Sequence, residues 1–501
     1  MTQLAPVRSL GRRARSRPAA LILAVVCAAQ FMVVLDVSIV NVALPDMRQD
    51  LHLSPSGLAW VLNAYTLTFA GFLLLGGRAA DLWGRRRLFL IGVAVFALTS
   101  LLGGLAQSGT ELIVARGLQG LGGAILSPAT LTILTTAFTN PRARTRALGL
   151  WSAVAGAGGA TGVLAGGVLT DLLSWRWILF INVPIGLVLL AVARFAVPES
   201  RGEGVRPTLD WAGALTITGG LVALVYGVVS TDQHGWTSAL VLTSLASGVA
   251  LIAVFLLIET RHPHPLVPLR LFRSRALTGA NLIMVLVGSA MFTLFFFLSQ
   301  YLQDVKGYSP LQAGVAFLPM PLAIIAGTQL SARLLRRVSA RALLVTGSLV
   351  AATGFAWLSR LGTDSSYVLH IGLPGAIITF GIGMGFVPVT LAATNGVDPR
   401  DAGLASGLIN TTRQIGGSLG LAALLTVATS RMNAVVSQGA DVAETAGFTR
   451  AFAVASALLV LAALIAFAVL PRTVRPKTPA ARADERPVEV DRRDRAEVVA
   501  R

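Results

Sequence analysis

Residues Gly77 to Arg87 read GRAADLWGRRR, four arginines and one aspartate set between two apolar stretches of about twenty residues each. Stretches of that length suit an α-helix crossing about 30 Å of hydrocarbon at about 1.5 Å per residue. A tight arginine-rich connection between two such helices marks the cytoplasmic face of a membrane, where Lys and Arg are retained. The block therefore predicts two membrane-spanning helices joined by a short basic loop.

The rest of the chain extends that pattern. Of 501 residues, 54% are hydrophobic and only 13% charged, and the mean hydropathy of +0.73 lies well above that of soluble domains. Fourteen apolar segments are long enough to span, at 20–44, 57–76, 88–107, 111–138, 146–170, 176–197, 211–230, 238–259, 276–301, 311–332, 340–360, 367–392, 403–428 and 448–470. The expectation is an all-α, multi-pass protein of the cytoplasmic membrane. Segments 211–230 and 340–360 have ends softened by glycine or a nearby arginine, and losing either would move the C-terminus across the membrane.

A net charge of +18 raises nucleic acid as a partner, but the charges alternate by loop. One set of loops carries Arg8, Arg12, Arg13, Arg15, Arg17, Arg85 to Arg87, Arg142, Arg144, Arg146, Arg201, Arg206, Arg270, Arg273, Arg275, Arg336, Arg337 and Arg341. The other set carries Arg48, Arg176, Lys306, Arg431 and Arg450. That asymmetry places both termini in the cytoplasm and argues against nucleic acid. The first apolar segment reads as an uncleaved helix and not as a secretory signal, because it is too long and thirteen more follow.

Little else suggests soluble chemistry. Cys27 has no partner for an internal disulfide and reads as a small buried hydrophobe. His262 and His264 between prolines lack further ligands, so no metal is expected. No Ser-His-Asp set and no G-x-x-x-x-G-K-[ST] sequence occurs, so neither an enzyme nor an ATP-driven machine is expected.

Internal repetition supplies the architecture. Gly120, Gly122, Pro128, Thr130, Pro141 and Arg142 are echoed in order by Gly381, Gly383, Pro388, Thr390, Pro399 and Arg400, offset by about 260 residues. A fainter echo joins Gly77–Arg87 to Gly327–Arg337. The division that follows is a cytoplasmic segment 1–19, a six-helix bundle 20–197, two inserted helices with flanking linkers 198–275, a second six-helix bundle 276–470, and a disordered tail 471–501.

Ionisable residues within apolar segments are costly and therefore informative. Asp36, Arg116 and Arg413 stand out. Three readings of Asp36 stay open. Burial favours the protonated carboxyl, which would let the residue exchange protons; pairing with Arg116 would hold it as a fixed ion; hydration in a vestibule would make it unremarkable. For either arginine the plain alternative is an anchor to backbone carbonyls.

Several stretches resemble one family. The spacing Gly77, Asp81, Gly84, Arg85, Arg86 resembles the loop between helices 2 and 3 of major facilitator superfamily transporters, and LDVSIVNVALP at 35–45 resembles helix 1 of their fourteen-helix drug:proton antiporter branch. RGLQGLGG, with Arg116, Gln119, Gly120 and Gly123, is similar to the family's helix 4 motif, and Arg413-Gln414 in NTTRQIGGSLG to the branch's helix 13. Gly158, Gly162, Gly166 and Gly167 resemble the exporters' antiporter motif, except that Val163 stands where that motif has proline; the first three also form a smooth face for close helix packing. The likeness is closest across 30–190.

The resemblance implies the major facilitator fold, with two parallel six-helix bundles plus two extra helices. It implies proton-coupled efflux of amphipathic drugs or antibiotics, powered by the proton gradient without a cofactor, and action as a monomer. Asp36 with Arg116 would couple protons, and Gly77, Asp81, Gly84, Arg85, Arg86 and Arg142 would form a cytoplasmic gate. Gln30, Asn41, Gln119, Arg413, Phe292 and Phe296 are the candidate cavity lining; the aromatic cluster of Phe292, Phe295, Phe296 and Tyr301 either stacks on substrate or faces lipid. Neutral, monocationic or zwitterionic substrates fit better than dications, because Asp36 is the one clear embedded acid. The alternatives are a proton-coupled importer of a small organic solute, for which Val163 leaves room, and a non-transporting receptor.

Overall fold

The computed structural model describes residues 19–200 and 209–471, apart from 264, 396, 399 and 400. The arginines before Ala19, Arg201, Arg206, His264, the Pro399-Arg400 pair and the tail beyond Pro471 lie outside the described residues. Among the described residues there is no strand, and fourteen helices are long and apolar enough to cross a membrane. They are α1 Ala19–Asp50, α2 Pro55–Trp83, α3 Arg85–Gly104, α4 Gly109–Ala137, α5 Arg142–Leu172, α6 Trp177–Ala196 and α7 Trp211–Thr231, followed by α8 Ala239–Arg261, α9 Arg275–Val305, α10 Pro310–Leu334, α11 Ala340–Leu358, α12 Val368–Thr394, α13 Gly403–Gln438 and α14 Ala440–Val469.

The segments with softened ends are both helices, α7 and α11. The larger differences from the sequence reading lie at polar ends. α1 continues to Asp50, α13 to Gln438, and α14 begins at Ala440, where hydropathy suggested 44, 428 and 448. Arg48, Arg431 and Glu444 are polar but helix-compatible, so these helices project past their apolar portions. Ends are fixed locally: Ser54 accepts from Gly57 N–H ahead of Pro55, Asn140 accepts from Arg142 and Ala143 N–H, and Ser309 with Gln312 forms a capping box ahead of Pro310.

Packing repeats between the halves. In the first, α1 lies on α5, α4 on both α2 and α3, and α3 on α6; in the second, α9 lies on α13, α12 on both α10 and α11, and α11 on α14. The halves meet along two seams, α2 with α13 and α5 with α10, and α1 also touches α9. The inserted helices sit to one side. α7 packs on both α2 and α13, with Trp211 against Trp83 and Tyr226 against Trp60, and α8 packs on α7. The core is alkyl and aromatic, including Phe89 and Phe96 in the first half and Phe297, Phe355 and Phe452 in the second, all fully buried. Cys27 is buried in α1.

Candidate functional site

Between the halves lies a cavity of about 520 Å³, a size suited to a small organic molecule. Its wall is largely apolar and aromatic, with Phe69, Trp151, Phe292, Phe295 and Phe386, and carries the amides of Gln30, Asn41, Asn410 and Gln414. Among the described residues, the charged ones that reach the wall are Arg116 and Arg413, and no carboxylate does.

Asp36 sits one layer behind that wall, fully buried where α1 meets α4 and α6. Arg116 Nη1 donates to Asp36 Oδ2 at 2.6 Å and to Gln119 Oε1 at 2.7 Å, and Arg116 Nε donates to the Val61 carbonyl at 3.3 Å. Asp36 Oδ1 accepts from Gln119 Nε2 at 2.8 Å and from Asn182 Nδ2 at 2.9 Å. Ser100 ties the network together: its hydroxyl accepts from Gln119 and Asn182 and donates to the Leu179 carbonyl at 2.8 Å. Three donors converge on the two carboxyl oxygens, the arrangement that suits an ionised, acceptor-only group. The guanidinium also lies over the Tyr65 ring, 4.4 Å from its centroid. In this state Asp36 is paired with Arg116 and shielded from the cavity, a contact compatible with either proton exchange or a fixed ion pair.

The remaining sequence candidates separate. Gln30, Asn41, Arg413 and Phe292 line the cavity. Gln119 and Phe296 do not. Gln119 is turned into the buried network by its bonds to Asp36 and Ser100, and Phe296 faces the second half's core against Phe297, 5.2 Å between centroids. The aromatic cluster does not face lipid: Phe292 and Phe295 reach the cavity, while Tyr301 is buried with its hydroxyl donating to the Gly362 carbonyl.

The glycines of α5 bear on Asp36. A Cβ at Gly158, Gly162 or Gly166 would press on the carbonyls of Phe31, Leu35 or Ile39 of α1, so this face lets α5 approach the turn that carries the aspartate. Gly167 faces α10 instead, against the Pro310 carbonyl, and Gly314 of α10 returns the contact at the Val163 carbonyl.

Contacts joining the halves across the cavity concentrate at the end opposite GRAADLWGRRR. There Arg48 Nη1 lies 3.5 Å from Asp304 Oδ2 and 3.8 Å from Glu444 Oε1, Ser299 Oγ donates to the Asn41 carbonyl at 2.6 Å, and Gln303 Nε2 donates to the Val42 carbonyl at 2.8 Å. At the basic end, Arg142, Arg144 and Arg146 of α5 and Arg333 of α10 are exposed. Polar contacts between the halves thus hold the far end together.

The basic loop is tied to the first half and, through Arg78 Nη1 donating to the Pro265 carbonyl at 3.0 Å, to the inserted segment. Arg85 grips Asp81 Oδ1 through Nε at 3.0 Å and Nη2 at 2.9 Å and donates to Thr136 Oγ1 at 2.8 Å; Arg86 Nε lies 3.6 Å from Glu199 Oε2. Gly84 turns the chain between α2 and α3 at φ 109°, beside the Glu199 carboxylate. Gly77 packs beside Pro128 of α4. Arg142 does not join Asp81: its backbone N–H is taken by the Asn140 cap and its side chain points to solvent.

Asn182, Ser100 and Tyr65 were not singled out from the sequence, nor was the Arg48 cluster. A search for ionisable residues passes over neutral amides and hydroxyls; a lone asparagine in the apolar run WILFINVPIGLVLL is the signal that finds Asn182.

The model of the Major Facilitator Superfamily matches residues 26–421. The chain is 47% identical over 431 residues to the cephamycin export protein CmcT of Amycolatopsis lactamdurans, covering 85% of this chain and 88% of that protein. It is 43% identical to the puromycin resistance protein pur8 of Streptomyces alboniger, covering 89% and 90%, and 36% identical to the tetracenomycin C resistance and export protein of Streptomyces glaucescens, covering 84% and 78%. Among solved structures, an auto-inhibited POT family peptide transporter superposes with a TM-score of 0.67 at 17% identity, covering 92% of this chain and 98% of the other. A bacterial homologue of the lysosomal transporter Spinster, inward-facing and unoccupied, gives 0.63 at 17% identity, covering 90% and 96%. At those identities the structural likeness speaks to the fold alone.

Proposed function

The chain belongs to the Major Facilitator Superfamily, and from that premise we propose that it exports small amphipathic organic compounds of the antibiotic class from the cytoplasm in exchange for protons. The observation that carries this reading is the cavity of about 520 Å³ whose wall includes the arginine paired with buried Asp36. Export by name in relatives at 47% and 36% identity supports the direction. The basic end is assigned to the cytoplasm by the positive-inside rule, which makes this the inward-facing state, with both termini cytoplasmic and the cell membrane as its location.

Asp36 is the proton site in this reading. Its carboxylate and Arg116 neutralise one another; a proton arriving from outside discharges the carboxylate, frees the guanidinium to turn toward the cavity, and so links protonation to the wall that substrate touches. The halves then rock about α2–α13 and α5–α10, and the Arg48 contacts part as the far end opens. One proton moving inward across 100 mV supplies about 2.3 kcal/mol, roughly a fiftyfold gradient of a neutral substrate. No cofactor is required, and one chain contains the whole path.

The test is efflux of an antibiotic from energised membrane vesicles, comparing wild type with Asp36→Asn and Asp36→Glu, with and without a protonophore. Extrusion is expected to stop on collapse of the gradient and in Asp36→Asn. Extrusion that survives both sinks the coupling.

A further inference from the structure

The cavity wall holds one positive charge more than the coupling network uses. Arg116 is neutralised by Asp36. Arg413 of α13 reaches the same cavity and makes no side-chain hydrogen bond, ion pair or ring contact among the described residues. A guanidinium stays ionised under physiological conditions, and at membrane depth it needs water or a counter-charge. Its backbone is pinned: Gly288 of α9 packs against the Arg413 carbonyl, and Ser289 Oγ donates to the Gly416 carbonyl at 2.8 Å.

The rest of the wall has the same bias. Tyr65 and Trp151 border the cavity, and the Tyr65 hydroxyl and Trp151 indole N–H are buried donors without hydrogen-bond partners among the described residues. Among the described residues no Asp or Glu lines it, so no negative charge on the wall offsets Arg413 or favours a substrate cation. Phe292, Phe295 and Phe386 offer faces for an apolar body.

We propose that the cavity selects amphipathic organic carboxylates and that Arg413 holds the carboxyl group. The export reading supplies the direction of movement; binding selectivity stands apart from it. Exchange of an inward proton for an outward monoanion moves two charges in the same electrical sense, so an inside-negative potential drives both legs. For a neutral substrate it drives one.

The test uses three probes with one fluorophore: dansylglycine, its uncharged amide dansylglycinamide, and the cationic dansyl-ethylenediamine. Each is titrated into purified full-length protein in nanodiscs. Wild type is expected to bind dansylglycine about tenfold or more tighter than the amide, and the cation most weakly. Arg413→Gln is expected to erase the preference by weakening dansylglycine alone, and Arg413→Lys to restore part of it. Equal binding of the three probes, preference for the cation, no saturable binding of dansylglycine, or a preference that survives Arg413→Gln overturns the proposal; the wild-type comparison needs no substituted protein to fold. Vesicle transport separates the two readings. Gradient-driven export without anion preference removes only this inference, whereas anion-selective binding with inward accumulation removes only the export reading.

Discussion

Arg116 touches Asp36 at 2.6 Å with one nitrogen while the same side chain forms part of the cavity wall. It is therefore the physical link between a fully enclosed carboxylate and whatever occupies the cavity. Removing one member of such a pair strands the other as a buried charge, whereas removing both does not.

Arg116→Ala is accordingly expected to destabilise the protein by about 3–5 kcal/mol. The double variant Asp36→Asn with Arg116→Gln is expected to cost less than the two single changes added together. Unfolding midpoints in nanodiscs check this; strict additivity would mean that the pair is not coupled.

At the far end, Arg48 bridges α1 to both α9 and α14 through partly exposed side chains. Each contact is worth about 0.2–1 kcal/mol after solvent screening, which shifts a two-state balance by about 1.4- to fivefold. Arg48→Glu is expected to favour opening at this end, and Asp304→Arg in the same chain to reverse the effect. Spin-label distances between the ends of α1 and α9 measure it; an unchanged distance distribution counts against a gate here.

A Cβ at Gly162 would lie 2.8 Å from the Leu35 carbonyl, next to Asp36. Gly162→Ala is expected to cost about 1–3 kcal/mol through overpacking and to slow efflux. Gly149→Ala, on the same helix with nothing within 4 Å, is the control. Equal effects of the two would contradict the packing account.

Gly84 holds φ 109° between α2 and α3. Gly84→Ala is expected to cost about 1–3 kcal/mol from backbone strain and to loosen the Arg86–Glu199 contact, read as faster hydrogen exchange at residues 84–88. Unaltered exchange would show that the turn tolerates a side chain.

Much of this was legible in the chain. Apolar length and loop charge delivered the helices, because membrane spanning depends on local properties that a window of sequence contains. The weak echo between Gly120–Arg142 and Gly381–Arg400 anticipated the repeated packing of α4 and α12. What remained hidden depends on which way a side chain turns. Gln119 and Phe296 sit on the expected helices but face away from the cavity, since a helix with apolar residues all round gives no stripe to orient it. The Arg48 cluster was invisible for another reason: its three residues come from helix ends far apart in sequence, which meet only when the halves close.

The placement of α7 also makes the two seams unequal. A hydrophobe dissolved in the bilayer that drifts toward α2–α13 meets α7 lying across it, whereas among the described residues neither α7 nor α8 packs on α5–α10. The two flanks of a pseudosymmetric pair of bundles thereby present unlike faces to the bilayer, one screened by an added helix pair and the other bare.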